Sequence, residues 1–384
     1  MKKIAVVTST RADYGILTPL VRKIYKDTRF ELELLVTGTH LSEKYGNTQD
    51  EIIKDGFPVA HRIQILEDGN TPYDISLTMA NAIKGFAEVF RDDRPDIVII
   101  LGDRTEILAV ASAAMNEQIP IAHLHGGEIT EGAVDDCVRH AITKMSYLHF
   151  TSTEVYRKRV IQLGEDPCRV YNVGALSTEN ILQEKLLTHS ELRDELNIPG
   201  DKKICLVTFH PVTLEYGAIN YQMNNICTAM SSFDNLYYLI TMPNADAESQ
   251  NIIDIFKRFV EQNQERSKLV ANLGMKRYLS AVKDAAMVLG NSSSGIVEAP
   301  VLGTPTVNIG DRQRGRLRTE SIIDCTPEVN DISNAMKQAL KMPHVPTLIY
   351  GDGNTSNKII EVINKFLKDD KICLKKKFYD INFQ

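Results

Sequence analysis

Apolar residues fall along this chain in short unbroken runs rather than in alternation. Residues 97–101 are such a run, 3–9 and 119–124 are largely apolar, 31–36 reads as a strand that carries Glu31 and Glu33, and 170–174 closes the first half. Residues 204–209, 236–241, 285–289 and 304–309 repeat the pattern in the second half. Runs of this length, rich in Val and Ile and bounded by Gly, Pro, Ser or Asn, predict parallel strands buried on both faces. Between them lie helical segments, near 16–25, 105–115, 151–162, 220–231, 245–263, 294–302 and 328–341. Another helix begins at Asp135, and a last one spans 355–367. Strict alternation of strand and helix predicts an α/β fold. The arrangement expected is two Rossmann-like, doubly wound domains facing each other across a cleft. Residues 1–175 form the first domain and 176–354 the second; 355–384 is a C-terminal helix and tail packing back on the first.

Length supports the division, because 384 residues exceed one comfortable core. A net charge of −6 argues against a nucleic-acid surface. The basic run Lys375 to Lys377 reads as a solvated tail rather than a patch. Cysteines at 137, 168, 205, 227, 325 and 373 include no Cys-x-x-Cys pair, which points to a reducing compartment. The first apolar run is cut short by Arg11 and Asp13, too early for a secretion signal, and no stretch reaches membrane-spanning length. A cytoplasmic protein without nucleic-acid or membrane partners is expected.

In open α/β sheets ligands bind beyond the carboxyl ends of the strands, so chemistry is sought there. Arg11 and Asp13 follow the first strand; Arg11 suits a phosphate in fork geometry or a surface ion pair. His40 follows the second, as a polar contact or an exposed loop residue. Gly102-Asp103-Arg104 places two charges after a glycine turn, poor material for a core unless paired or working. His123 and His125 share a face by strand alternation, and Glu128 follows. Asp135 and Asp136 open a helix, where dipole compensation is the plainer role. With His140 these groups invite a metal reading, but the helical His-Glu-x-x-His spacing is absent, and no metal is assigned. His210 stands at a strand end that Pro211 terminates. In the second half, 290–295 is a loop of small residues leading into a helix. Ser292 and Ser293 there suit either a phosphate site or an ordinary helix cap. Glu298, one turn in, could accept from a ribose diol, and 310–316 is a cationic loop.

Several of these stretches together resemble one family. They are Ser9-Thr10-Arg11-Ala12-Asp13-Tyr14-Gly15, Gly102-Asp103-Arg104, His125-Gly126-Gly127-Glu128, Asp135-Asp136 with Arg139-His140, Phe209-His210-Pro211, Gly290-Asn291-Ser292-Ser293-Ser294-Gly295 and Gly310-Asp311-Arg312-Gln313. The chain resembles the UDP-N-acetylglucosamine 2-epimerases, in the hydrolysing branch that makes N-acetylmannosamine for sialic acids. The resemblance implies a glycosyltransferase-B-like fold, a nucleotide-sugar substrate held mainly by the second domain, no cofactor, and a homodimer or higher homo-oligomer. It implies elimination of UDP to 2-acetamidoglucal and then hydration. By motif, Asp103, Asp135 and His210 are acid–base or positioning residues, and Asp13 and His40 line the sugar. Arg11, Arg104, Ser292, Ser293 and Glu298 hold UDP, with Glu298 on the ribose. The non-hydrolysing branch carries Glu, in a His-x-Glu-Ala-Gly run, where this chain has His125. The imidazole or Glu128 therefore takes that carboxylate's task. The same reaction on a 2,4-diacetamido-2,4,6-trideoxy sugar nucleotide, and a glycosyltransferase on the same fold, are the alternatives.

Overall fold

The structure, a computed structural model, describes all residues except 70, 131–133, 201, 212–218, 244–248, 272, 369–372 and 383–384. The first few residues of the helix expected at 245–263 lie outside those described. The described residues form two parallel sheets. β1 (Lys2–Thr8), β2 (Phe30–Thr37), β3 (Val59–Ile63), β4 (Ile97–Leu101), β5 (Ile121–Leu124), β6 (Leu148–Thr151) and β7 (Val170–Asn172) run in the order β3-β2-β1-β4-β5-β6-β7. β8 (Lys203–Thr208), β9 (Leu236–Thr241), β10 (Ser267–Val270), β11 (Met287–Gly290), β12 (Thr306–Ile309) and β13 (Ile322–Cys325) run in the order β10-β9-β8-β11-β12-β13. The chain divides into two compact units. One holds Met1–Ile129, 134–180 and the residues from Gly351 onward, and the other holds Ile181–Tyr350.

The unbroken apolar runs have a simple cause. In β1, Ile4 and Val6 pack on one face with Leu17, Leu20 and Ile24, while Ala5 and Val7 pack on the other with Phe86 and Phe90. In β8, Cys205 and Val207 face one cluster while Ile204 and Leu206 face another. Burying a Val, Leu, Ile or Phe side chain contributes about 1.5–3 kcal/mol, which favours apolar residues on both faces. Strand order reverses between β1 and β4 in the first sheet and between β8 and β11 in the second. Adjacent strands there send their connections to opposite faces, which leaves a crevice at the carboxyl ends.

Several elements differ from expectation. The helix expected from residue 16 is Arg11–Lys26, because Thr10 and Asp13 close a capping box. Arg11 and Asp13 therefore lie in a first helical turn, not a loop. The helix expected from 151 is Glu154–Gln162, capped by Thr153, because the preceding residues are strand β6. The edge strands β3, β10 and β13 lie outside the apolar pattern, since each is only partly buried and carries polar residues. The long helix Pro72–Asp92, with its own capping box at Thr71 and Asp74, is a further element that the apolar pattern does not predict.

The helix Thr355–Leu367 belongs to the first unit, where buried Glu179 accepts from the Ser356 amide at 2.6 Å and hydroxyl at 2.5 Å. The basic tail is not simply solvated. Lys376 donates to the carbonyls of Lys144 at 2.7 Å and Ser146 at 2.8 Å, and to buried Glu165. Burial alone would raise the Glu165 carboxyl, but His149, Lys144 and Lys376 hold it at about 2. The described cysteines are all unpaired, and burial pushes the Cys205 thiol up. Among the described residues, no helix is long and apolar enough to cross a membrane.

Candidate functional site

The carboxyl ends of β1 and β4 are built around one buried carboxylate. Asp13 accepts from the amides of Ser9 at 2.9 Å, Thr10 at 2.8 Å and Tyr14 at 2.7 Å, and from the Thr8 hydroxyl at 2.8 Å. Having donated to Asp13, Thr8 can only accept from His40 Nε2, 3.0 Å away, so His40 Nδ1 takes the Thr48 hydroxyl at 2.7 Å. Burial drives the His40 pKa down, keeping the ring neutral behind this turn instead of in an exposed loop. Ser9 Oγ also lies 2.7 Å from Glu106 Oε1, and Arg104 Nε lies 2.5 Å from the same oxygen. Burial opposes ionisation of Glu106, but the adjacent guanidinium and hydroxyl outweigh it and keep the carboxyl below its ordinary range. Arg104 is thereby anchored with its side chain half exposed. Arg11 is also exposed, 3.5 Å from Glu51, a contact worth little in water.

Beyond β5 the backbone is strained. His125 has φ +65°, a left-handed conformation uncommon outside glycine. The expected sharing of a face by His123 and His125 fails for this reason, since strand geometry stops at Leu124. His123 stays in the core and donates from Nε2 to the Gly102 carbonyl at 2.8 Å. Its burial pushes it down to about 3. His125 instead turns Nδ1 to within 3.3 Å of Glu128 Oε1, which accepts from buried Ser152 at 3.1 Å. The His125 Nε2 atom is buried and has no hydrogen-bond partner among the described residues. Gly127 must be glycine here, because a Cβ would lie 2.3 Å from the Tyr156 carbonyl oxygen. Arg139, almost fully buried, pairs with Asp103 and donates to the Glu128 carbonyl at 2.8 Å. One guanidinium thus joins the ends of β4 and β5. Asp135 is exposed on the first turn of the helix Val134–Met145, where its charge acts on Arg104. Among the described residues, no group of three or more His, Cys, Asp or Glu is arranged to hold a metal.

In the second unit, His210 follows β8 and is nearly buried. Burial, with the Arg312 charge beside it, pushes its pKa down to about 4, and Nδ1 has no partner among the described residues. Gly290 ends β11 with φ +137°, and a Cβ there would stand 1.9 Å from the Thr208 carbonyl oxygen. Ser293 precedes the helix Ser294–Leu302 with helical dihedrals and makes no side-chain cap, so its hydroxyl is not spent on the helix. Glu298 is half-buried on that helix, and burial pushes its carboxyl up against the opposing charge of Arg316.

Residues 22–364 match the family described as UDP-N-acetylglucosamine 2-epimerase. The chain belongs to that family. A Campylobacter jejuni relative, named GDP/UDP-N,N′-diacetylbacillosamine 2-epimerase (hydrolyzing), is 41% identical over 88% of this chain and 87% of its own. A Legionella pneumophila UDP-N,N′-diacetylbacillosamine 2-epimerase (hydrolyzing) is 35% identical over 94% of this chain and 96% of its own. Polysialic acid biosynthesis protein P7 of Escherichia coli is 38% identical over 99% of this chain and 98% of its own. In fold, the chain is similar to the Neisseria meningitidis UDP-GlcNAc 2-epimerase solved with UDP-GlcNAc, with a TM-score of 0.81, 19% identity, and coverage of 95% of this chain and 100% of that one. The two sheets are those of glycosyltransferase-B-type epimerase structures, and membership in an epimerase family sets the glycosyltransferase alternative aside. Glu106 and Ser152 of this epimerase had no signal in the sequence, because each acts on a side chain of a distant element.

Proposed function

We propose that this epimerase is of the hydrolysing type. It would convert UDP-N,N′-diacetylbacillosamine, a 2,4-diacetamido-2,4,6-trideoxy sugar nucleotide, and water into UDP and the free 2-epimerised sugar. The observation carrying the chemistry is the His125–Glu128 pair. Glu128 takes Nδ1–H, leaving the Nε2 lone pair available to a substrate C–H. The sugar assignment leans on the two relatives named for that donor. The polysialic acid relative favours a second reading, UDP-N-acetylglucosamine to N-acetylmannosamine.

In the first step Nε2 of His125 removes the C2 proton, the C1–O bond breaks, and UDP leaves with the electron pair, giving the 2-acetamidoglycal. Ser292 and Ser293, at the N-terminus of their helix, with Arg11 and Arg104, would take the diphosphate charge. Glu298 would take the ribose. In the second step the hydroxyl of water joins C1 and a proton joins C2 from the opposite face. Asp103, held by Arg139, and Asp135 are the groups assigned to that face, while Asp13 and His40 shape the turn beside the sugar. His210, kept neutral, is a positioning or proton-accepting group. A cytoplasmic homodimer is part of the same proposal, checked by light scattering.

Incubation with each donor in deuterated water, followed by NMR of the released sugar, is the test. The expected product carries one deuterium at C2 and comes faster from the diacetamido donor. A product without deuterium at C2 refutes the elimination, and turnover of UDP-N-acetylglucosamine alone reverses the choice of sugar.

A further inference from the structure

Where β8 ends, ordinary ladder pairing ends too. Thr208 pairs with Gly290 of β11, but His210 is followed by Pro211, which has no N–H to continue a ladder. The gap is filled by one side chain. Asn291 Oδ1 accepts from the His210 amide at 2.7 Å, and Asn291 Nδ2 donates to the His210 carbonyl at 2.8 Å. A primary amide carries a donor and an acceptor at the spacing of a peptide group, so Asn291 reproduces a rung of sheet beyond the strand. Its own main chain is fixed independently. The Asn291 amide donates to the Thr208 carbonyl at 3.2 Å, and its carbonyl accepts from Gln313 Nε2 at 2.9 Å and Arg312 Nη1 at 3.1 Å. Arg318 in turn donates to the Gln313 carbonyl at 2.9 Å and pairs with Asp324 at 3.0 Å. Asn291 and Gln313 are 1% and 3% exposed, so water is a poor substitute for either.

We propose that Asn291 is a positioning residue for the reaction, clamping the backbone of His210 and tying its imidazole to the serine loop that starts at Ser292. The inference rests on the roles given to His210 and to Ser292 and Ser293 under the proposed function. The loop is held through main-chain contacts, whereas His210 is held through the Asn291 side chain. Removing that side chain therefore frees the imidazole without dismantling the loop. Aspartate keeps the acceptor for the His210 amide but loses the donor to its carbonyl, and so gives half of the clamp.

The experiment compares the wild type with Asn291→Ala and Asn291→Asp, reading kcat, KM, UDP affinity by calorimetry, and the titration of the His210 Cε1–H resonance, assigned with His210→Gln. A misplaced group costs roughly 100-fold, so kcat of Asn291→Ala should fall by about that factor. Because the main-chain contacts of the loop persist, its KM and UDP affinity should stay within about threefold. Asn291→Asp should fall between the two. The His210 resonance should titrate near 4 in the wild type and move toward the ordinary 6.5 in Asn291→Ala, as the freed ring meets water. Unchanged kcat, UDP affinity lost in step with kcat, or a His210 titration equal to the wild type in a folded Asn291→Ala would each overturn the proposal. If the wild type turned over neither donor, the functional reading would fail, while UDP affinity and the His210 titration would still decide the clamp.

Discussion

The two sheets follow the same strand order through six positions and reverse direction at equivalent places, yet their carboxyl edges are chemically unlike. At the ends of β1, β4 and β5 stand ionisable pairs, Asp103 with Arg139, Arg104 with Glu106, and His125 with Glu128. At the ends of β8 and β11 stand an amide, hydroxyls and a neutral imidazole, with arginines supplied from 312–316. Burial is costly for charge in both places, and each edge meets that cost differently. The first sets its ionisable groups in pairs, which the proposed function places near the reacting C–H. The second uses backbone-matched hydrogen bonds, which hold the uncharged loop that the proposed function gives to the diphosphate. Under the proposed function, one topology would place the proton-transfer groups in one unit and the serine loop for the diphosphate in the other.

The comparison can be broken most sharply at His125. His125→Gln should lower kcat by roughly 10³-fold while leaving UDP affinity nearly unchanged. A parallel loss of affinity, measured by calorimetry, would mean that His125 serves the nucleotide rather than the proton transfer. Next are the two glycines that permit the turns. Gly127→Ala and Gly290→Ala would place a Cβ 2.3 Å and 1.9 Å from carbonyl oxygens of Tyr156 and Thr208. Each should cost about 3 kcal/mol or more in urea unfolding, given the added left-handed strain. Arg139→Met should cost about 2 kcal/mol by leaving Asp103 without its cation, and should also lower turnover. An equal stability with the wild type would show that Asp103 needs no partner. Glu298→Gln should weaken UDP about tenfold with little change in kcat, the loss of one charge-assisted hydrogen bond. A kcat effect as large as that of His125→Gln would erase the distinction between the edges.

The smallest effect is on stability in acid. His40, His123, His149 and His210 all have pKa values lowered by burial, to about 3 for His123 and about 4 for His210. Their folded pKa lies below the unfolded value near 6.5, so the unfolded chain binds more protons below that pH. Stability should therefore be full above about pH 6.5 and decline as pH falls toward 4 and 3. Urea midpoints across that window check it, and a flat profile would mean that these rings protonate without unfolding.

What the sequence determined by itself was whatever local chemistry dictates. Apolar runs specified strands with two buried faces, and small or charged residues marked the strand ends proposed to bind ligands. The order of those motifs named the family before any contact was known. Element limits were less legible where a cap decided them, since Asp13 reads as a loop residue until Thr10 is seen to close the capping box around it. What only the tertiary structure decided was which groups meet. His125 leaves the face of His123 because its backbone turns left-handed. Glu106 reaches Ser9 across 97 residues, and Asn291 reaches His210 across 81. Such bonds lie between strands brought together by the sheet, and periodicity along a chain carries no trace of a partner that far away.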